Sequence, residues 1–335
     1  MTRMNPEWHK PDHDHPGGRS KMRWLVLGYM QAGDNAGTDA PTLLDSSVKM
    51  MVAMGTPEGS DPMQDEISTG DIRTAFLQGY DFDDSLPQQY VGLRQYPGAE
   101  LDVWEYNGPL YGDEVAPVNL HETFTDYMLD EMKYELMTDE QIASVCGLEM
   151  LKYVQSQNEL SLYWNPATGH TVAKWVDDLI TRGQGLEHEK IWNNLQRGFE
   201  IKSWGDVKPG CPRLFCNKEI SVEIKDGVKW YSMSQANDIK QWLIDVGMSG
   251  TIPVSTPMAS KQELHSNENL LNDSDATDFR SKLGSLQYYA KETRDDIAAA
   301  VNTIAQKGAK STVGASKALR RVIAYLNAKW HCRYM

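Results

Sequence analysis

The feature that most constrains this chain is an acidic pair set between two strand-forming runs. Thr171-Val172-Ala173-Lys174-Trp175-Val176 leads into Asp177-Asp178, and Leu179-Ile180-Thr181 follows. Apolar and β-branched runs of that length favour strands, so the acids belong at the tip of a β-hairpin whose flanks pack inward. Adjacent carboxylates repel, and a bound cation is the simplest way to keep both ionised. The two other Asp-Asp pairs have plainer explanations. Asp83-Asp84 lies in Asp81-Phe82-Asp83-Asp84-Ser85-Leu86-Pro87, which has the composition of a solvated turn. Asp295-Asp296 precedes Ile297-Ala298-Ala299-Ala300-Val301, where acids favour the positive end of a helix.

A second acidic motif, Asp71-Ile72-Arg73-Thr74-Ala75-Phe76-Leu77-Gln78-Gly79, lies far upstream. Carboxylates brought together from distant parts of a chain can hold two divalent cations about 3.5–4 Å apart, the arrangement that serves in-line nucleotidyl transfer. The text around both motifs resembles the reverse transcriptases of copia-type retrotransposons. The resemblance is carried by Lys21-Met22-Arg23, the Asp71–Gly79 motif, Leu110-Tyr111-Gly112 with Ala116-Pro117, and the Trp175–Ile180 hairpin. Downstream it continues through Val254-Ser255-Thr256-Pro257-Met258, Phe279–Leu286, Thr293–Ala298 and Ala318–Leu326. Order and spacing agree from Lys21 to Tyr325, although each motif alone is short.

The resemblance implies an α+β polymerase right-hand fold. Its palm would be an antiparallel sheet backed by helices, with truncated fingers and a helical thumb or connection at the C-terminus. The organisation implied is a disordered leader over 1–20, fingers, palm and the start of the thumb over 21–250, a linker over 251–278, and a helical segment over 279–335. The activity implied is RNA-directed DNA polymerisation. Asp71, Asp177 and Asp178 would be the catalytic metal ligands, joined by the backbone of Ile72. Such an all-oxygen set suits Mg²⁺ or Mn²⁺. Lys21 and Arg23 would meet the triphosphate, and Tyr111 and Gly112 would line the nucleotide pocket. Phe76 would crowd the sugar 2′ position, unless it is simply a core aromatic, and Trp175 would face the template. Implied partners are an RNA or DNA template with primer, deoxynucleoside triphosphates and other parts of a Pol polyprotein.

The resemblance implies a cytoplasmic protein in a virus-like particle or a nuclear one, and composition fits an intracellular protein that is neither secreted nor membrane-spanning. No run of about 18 apolar residues exists, the His- and Pro-rich start lacks the apolar stretch of a signal peptide, and Cys146, Cys211, Cys216 and Cys332 show no disulfide or finger spacing. Charge pulls in two directions. The net charge is −14, yet residues 280–335 carry eleven Lys or Arg against three acids. Either that segment grips a phosphate backbone, or it is a basic helical bundle with no ligand. Residues 81–150 hold two basic residues, Arg94 and Lys133, against sixteen acids, a poor nucleic-acid face. Within them Leu120, Phe124, Tyr127, Met128 and Met132 recur at helical spacing, which predicts an amphipathic helix. Tyr288, Ile297, Val301, Ile304, Val322 and Leu326 are the expected core of the last helices.

Several positions depart from the family pattern. Trp175 stands where a tyrosine is usual, and Asp113-Glu114-Val115 replaces a Leu-Lys-Gln stretch, putting two anions beside the expected nucleotide pocket. A strand pair expected before Lys21 is missing, and no ribonuclease H carboxylates precede Met335. Two functional classes therefore stand: an active polymerase segment, or a degenerate one acting as a nucleic-acid-binding or structural module.

Overall fold

The computed structural model describes residues 2–9, 19–26, 38–55, 61–82, 89–93, 100–131, 153–260 and 264–331. The chain divides into two units, Met1–Val48 with Pro57–Asp206, and Lys49–Thr56 with Val207–Met335. The division after Asp206 lies upstream of the break expected at 250.

In the first unit, β1 (Thr2–His9) pairs antiparallel with β2 (Arg19–Val26), so the segment expected to be an unstructured leader supplies a strand. The division falls within helix α1 (Asp45–Ala53), after Val48, and Val48, Met51 and Val52 of this helix are buried. Then come β3 (Asp65–Ile72), a 3₁₀ turn over Ala75–Gln78, and a two-stranded ribbon of β4 (Gln89–Leu93) and β5 (Asp102–Tyr106). Helix α2 (Ala116–Asp126) continues into a π-helical turn, Tyr127–Glu131. It buries Leu120 and Phe124, and Met128 follows on the π turn, which is the apolar stripe expected there; Met132 lies outside the described residues. Strands β6 (Val154–Gln155), β7 (Leu162–Trp164), β8 (Thr171–Trp175) and β9 (Asp178–Gln184) lead to helix α3 (Gly185–Gly198) and strand β10 (Ile201–Asp206).

Six of these strands form one antiparallel sheet in the order β10-β3-β9-β8-β7-β6. Alternate residues of a strand share a face, so Glu66, Ser68, Gly70 and Ile72 point one way and Asp65, Ile67, Thr69 and Asp71 the other. The first face is covered by helices: Ile72, Tyr163, Val172 and Leu179 share a core with Leu120 and Phe124 of α2 and with Ile191, Trp192 and Leu195 of α3. Gly70 is needed there, because a Cβ would come 2.8 Å from the Trp192 ring. On the second face, at the β8–β9 turn, Asp71, Trp175, Asp177 and Asp178 are only partly buried.

One residue of the covered face breaks the apolar pattern. Lys174 is 2% exposed and its Nζ lies 5.6 Å from the centre of the Phe124 ring. Burial pushes its ammonium down to about 8, with the Asp177 carboxylate acting against that. The same ammonium, after burial itself, helps push His121 down to about 4, so this histidine is neutral at pH 7.

The second unit opens with a three-stranded meander of β11 (Arg213–Phe215), β12 (Lys218–Lys225) and β13 (Val228–Ser234). Four helices follow: α4 (Ala236–Asp245), α5 (Asp273–Glu292), α6 (Asp295–Ala305) and α7 (Val313–Lys329). Asn272 caps α5 by accepting from Asp275 N at 2.8 Å, so the helix claims the end of the stretch expected to be linker. Asp295 and Asp296 sit in the first turn of α6, as their sequence context suggests. Ile297, Val301, Ile304, Val322 and Leu326 are buried as expected. Tyr288 is not: it is 40% exposed, and Tyr289 takes the inward place.

Two buried charges give checkable energetics. Lys218 and Glu292 form an ion pair with both side chains about nine-tenths or more buried, whereas Lys225–Glu223 is half exposed. Glu292→Ala strands a buried ammonium and should cost about 3–5 kcal/mol in urea unfolding, against under about 1 kcal/mol for Glu223→Ala. Equal losses would contradict this. Lys174 behaves oppositely, because its native pKa is depressed. Below about pH 8 both folded and unfolded states hold the proton and the burial penalty is complete; between about 8 and 10.5 the folded state releases it first. The unfolded state then binds more protons, so stability rises with pH across that window. Lys174→Met should therefore be more stable than the parent at pH 7, by roughly 1–3 kcal/mol, with the gap closing toward pH 10. A gap independent of pH would refute it.

Candidate metal and nucleotide site

The β8–β9 hairpin turns through Val176 and Asp177. Val176 has φ 53°, the left-handed region that a β-branched side chain adopts only at a cost. The turn is held by a neighbour: Ile72 N donates to Asp177 O at 2.7 Å, fastening the tip to β3. The register then aligns four side-chain positions across four strands. Trp175 pairs with Asp178, Asp178 with Asp71, and Asp71 with Lys202 of β10. All belong to the face away from the helices.

Asp71 and Asp178 directly opposite each other would destabilise the sheet if nothing offset their charge. Part of the offset is Lys202, whose Nζ lies 3.3 Å from Asp71 Oδ1. This lysine had no place in the sequence reading; the only available signal was its register, which one sequence does not show. Beneath the turn, Lys174 Nζ lies 3.4 Å from Val176 O and donates to it.

Of the residues expected to line a nucleotide pocket, Phe76 and Tyr111 touch. Thr74, at φ 48°, turns the chain out of β3 into the 3₁₀ turn that carries Phe76. The Phe76 ring meets Tyr111 edge-on, with centroids 5.5 Å apart. Tyr111 O accepts from Val26 N at 2.7 Å, which fixes the end of β2. Gly112 is required at this crossing: its φ is 88°, and a Cβ would come 2.1 Å from Val26 O. Lys21 and Arg23 lie on β2, though their side chains lie outside the described residues. Asp113 does not extend into an open pocket: it is 5% exposed and its Oδ1 accepts from Val115 N at 3.3 Å just before α2. Glu114 is exposed. Asp83-Asp84 lies outside the described residues.

A second group was not legible beforehand. Glu66, His188 and Asp206 place ligand atoms within 4.8 Å of one another and could hold a divalent ion. Ser68 Oγ donates to Asp206 Oδ1 at 2.7 Å and lies 2.7 Å from His188 Nε2, so the imidazole is the donor in that second bond. This group lies on the helix-covered face: along β3 its Glu66 is five residues from Asp71, about 16 Å, and its Asp206 pairs with Ser68, three residues or about 10 Å from Asp71. It is a separate place from the Asp71–Asp178 row. Its members come from β3, α3 and β10, without motif spacing.

No family model matches the chain. It is 27% identical over 316 residues to the retrovirus-related Pol polyprotein from transposon RE1 of Arabidopsis thaliana, covering 92% of this chain and 19% of that protein. It is 24% identical over 304 residues to the corresponding polyprotein from transposon TNT 1-94 of Nicotiana tabacum, covering 89% of this chain and 21% of that one. A 154-residue stretch, 45% of this chain, is 35% identical to 59% of an uncharacterized mitochondrial protein of Arabidopsis thaliana. The chain thus spans about a fifth of the length of the polyproteins it matches. Among the described residues no helix is long and apolar enough to cross a membrane. The chain is a distant homologue of plant retrotransposon Pol polyproteins.

Proposed function

We propose that the chain is the reverse transcriptase segment of a copia-type Pol polyprotein, extending a primer 3′-hydroxyl with deoxynucleotides along an RNA or DNA template. The observation that supports this most is the cross-strand row at the partly exposed tip of the second sheet face, with Asp71 in register with Asp178 and Asp177 at the fastened tip. In this reading the six-stranded sheet is a palm backed by α2 and α3, β1 and β2 belong to the fingers, and α4 to α7 are thumb and connection.

Asp71, Asp177 and Asp178, with the Ile72 backbone beside them, would hold Mg²⁺ or Mn²⁺, because three carboxylates form the hard, all-oxygen set those ions prefer. The bound ions would supply Lewis-acid stabilisation of the reacting phosphate and activate the hydroxyl. The chain's own residues do the rest. Phe76 and Tyr111 pack edge-on and form an aromatic wall for the sugar, and Gly112 lets that wall close on the end of β2. Lys21 and Arg23 receive the triphosphate. Lys202, 46% exposed and paired with Asp71, is free to swing toward phosphate as it arrives. Trp175, at the end of the same row, faces the template.

A second reading is supported by the two lysines at the carboxylates. Lys202 and Lys174 already offset much of the acidic charge, as expected of a segment that keeps the fold and binds nucleic acid without turnover. Primer extension on poly(A) with oligo(dT), in Mg²⁺ and in Mn²⁺, separates the two. Under the polymerase reading the parent extends the primer, Asp71→Asn and Asp177→Asn fall to background, and Asp295→Asn, at the start of α6, keeps parental activity. Retained template-primer binding without extension in either metal would favour the second reading. Equal loss at all three positions would mean the effect is on folding.

A further inference from the structure

Asp71 and Asp178 face each other in register beside the Asp177 turn, and the two lysines near them, Lys202 and Lys174, differ in one respect. Lys202 is 46% exposed, so it can leave Asp71 when another cation comes. Lys174 cannot leave. Its side chain is 2% exposed, its Nζ is held 3.4 Å from Val176 O, and the Phe124 ring lies 5.6 Å away on the core side. The groups facing it from the packed elements are His121 of α2 and Asp177 of the turn itself. His121 is neutral at pH 7, and the Asp177 carboxylate is the acid whose charge acts on this ammonium.

We propose that Lys174 is a built-in counter-cation and positioning residue: it holds the Val176–Asp177 turn from beneath and lowers the affinity of the carboxylate row for a divalent cation. The inference rests on Asp71, Asp177 and Asp178 being the metal ligands. Three observations carry it. The hydrogen bond is to the one turn residue in the left-handed region, Val176 at φ 53°, where a carbonyl needs a partner to hold the conformation. The charge lies near the Phe124 ring on a residue that pairs with buried Leu179, low-dielectric surroundings in which Coulomb interactions reach further than in water. And the residue occupies a position of β8 whose neighbours Val172 and Ala173 are fully buried and apolar, so packing alone would call for an apolar side chain.

The consequence is a site already half-satisfied when empty. An incoming cation displaces Lys202 but must bind against a fixed positive charge beneath Asp177. The test is Mn²⁺ binding by the full chain, measured by calorimetry without nucleic acid, with the melting temperature of each variant recorded as the check on folding. Lys174→Met removes charge and hydrogen bond, Lys174→Gln keeps a donor for Val176 O without the charge, and Lys174→Arg keeps the charge. Expected are Mn²⁺ affinities tighter by on the order of tenfold or more for Met and Gln, and near-parental for Arg. Asp71→Asn and Asp177→Asn should each abolish the Mn²⁺ signal.

Met and Gln variants that fold and bind Mn²⁺ no more tightly than the parent would overturn the counter-cation role while leaving the carboxylate site intact. If the parent and every Lys174 variant bind no Mn²⁺, or bind it unchanged after Asp71→Asn and Asp177→Asn, the carboxylate reading itself fails and takes this inference with it. A parent that binds none while Lys174→Met binds Mn²⁺ would support it.

Discussion

The hydrogen bond from Ile72 N to Asp177 O, together with the register of β3 on β9, is the constraint on which the site depends. A slip of one residue would send Asp71 to the face covered by α2 and α3 and Ile72 to the opposite one. The register is secured by burial. Gly70 must lie under the Trp192 ring and Ile72 in the core with α2 and α3, so the face that carries Asp71 follows from where the apolar residues have to go. Further along the same strands, the buried Arg182–Asp65 pair, with Nε to Oδ1 at 3.1 Å, would be broken by any slip.

Electrostatics at the tip act against this packing. A strained valine turn and facing carboxylates raise the energy of the hairpin, and the protein offsets part of that with Lys202 beside Asp71 and Lys174 under Val176. The lysine underneath is itself costly to bury, as its depressed pKa shows. Local strain of this kind persists only where the surrounding structure holds it in place. The Glu66–His188–Asp206 group differs in kind: Ser68 links His188 and Asp206 within the core, and one imidazole replaces a carboxylate.

The sequence revealed the hairpin because its acids interrupt two strand-like runs, and it revealed α2 and the terminal helices because their apolar residues keep helical spacing. It misplaced Tyr288 because neighbouring helical residues lie about 100° apart, and Tyr289, 4% exposed, carries an equally apolar ring on the inward side. It read Asn272 and Asp273 as linker because the residues that cap a helix are those that make loops. Asp113 was read as a pocket anion, since its identity gives its charge but not its direction. Lys202 and the Glu66–His188–Asp206 group were out of reach for a common reason: strand register and helix docking bring them together, not spacing along the chain.

Anomalous scattering from crystals of the full chain soaked in Mn²⁺ would show whether Asp71 and the Asp177-Asp178 pair form one divalent-cation site, as we propose. A manganese peak is expected with oxygen ligands from Asp71 and Asp177, about 2.1–2.2 Å away. Manganese found only among Glu66, His188 and Asp206, or Asp71 and Asp177 carboxylates too far apart to share an ion, would contradict it.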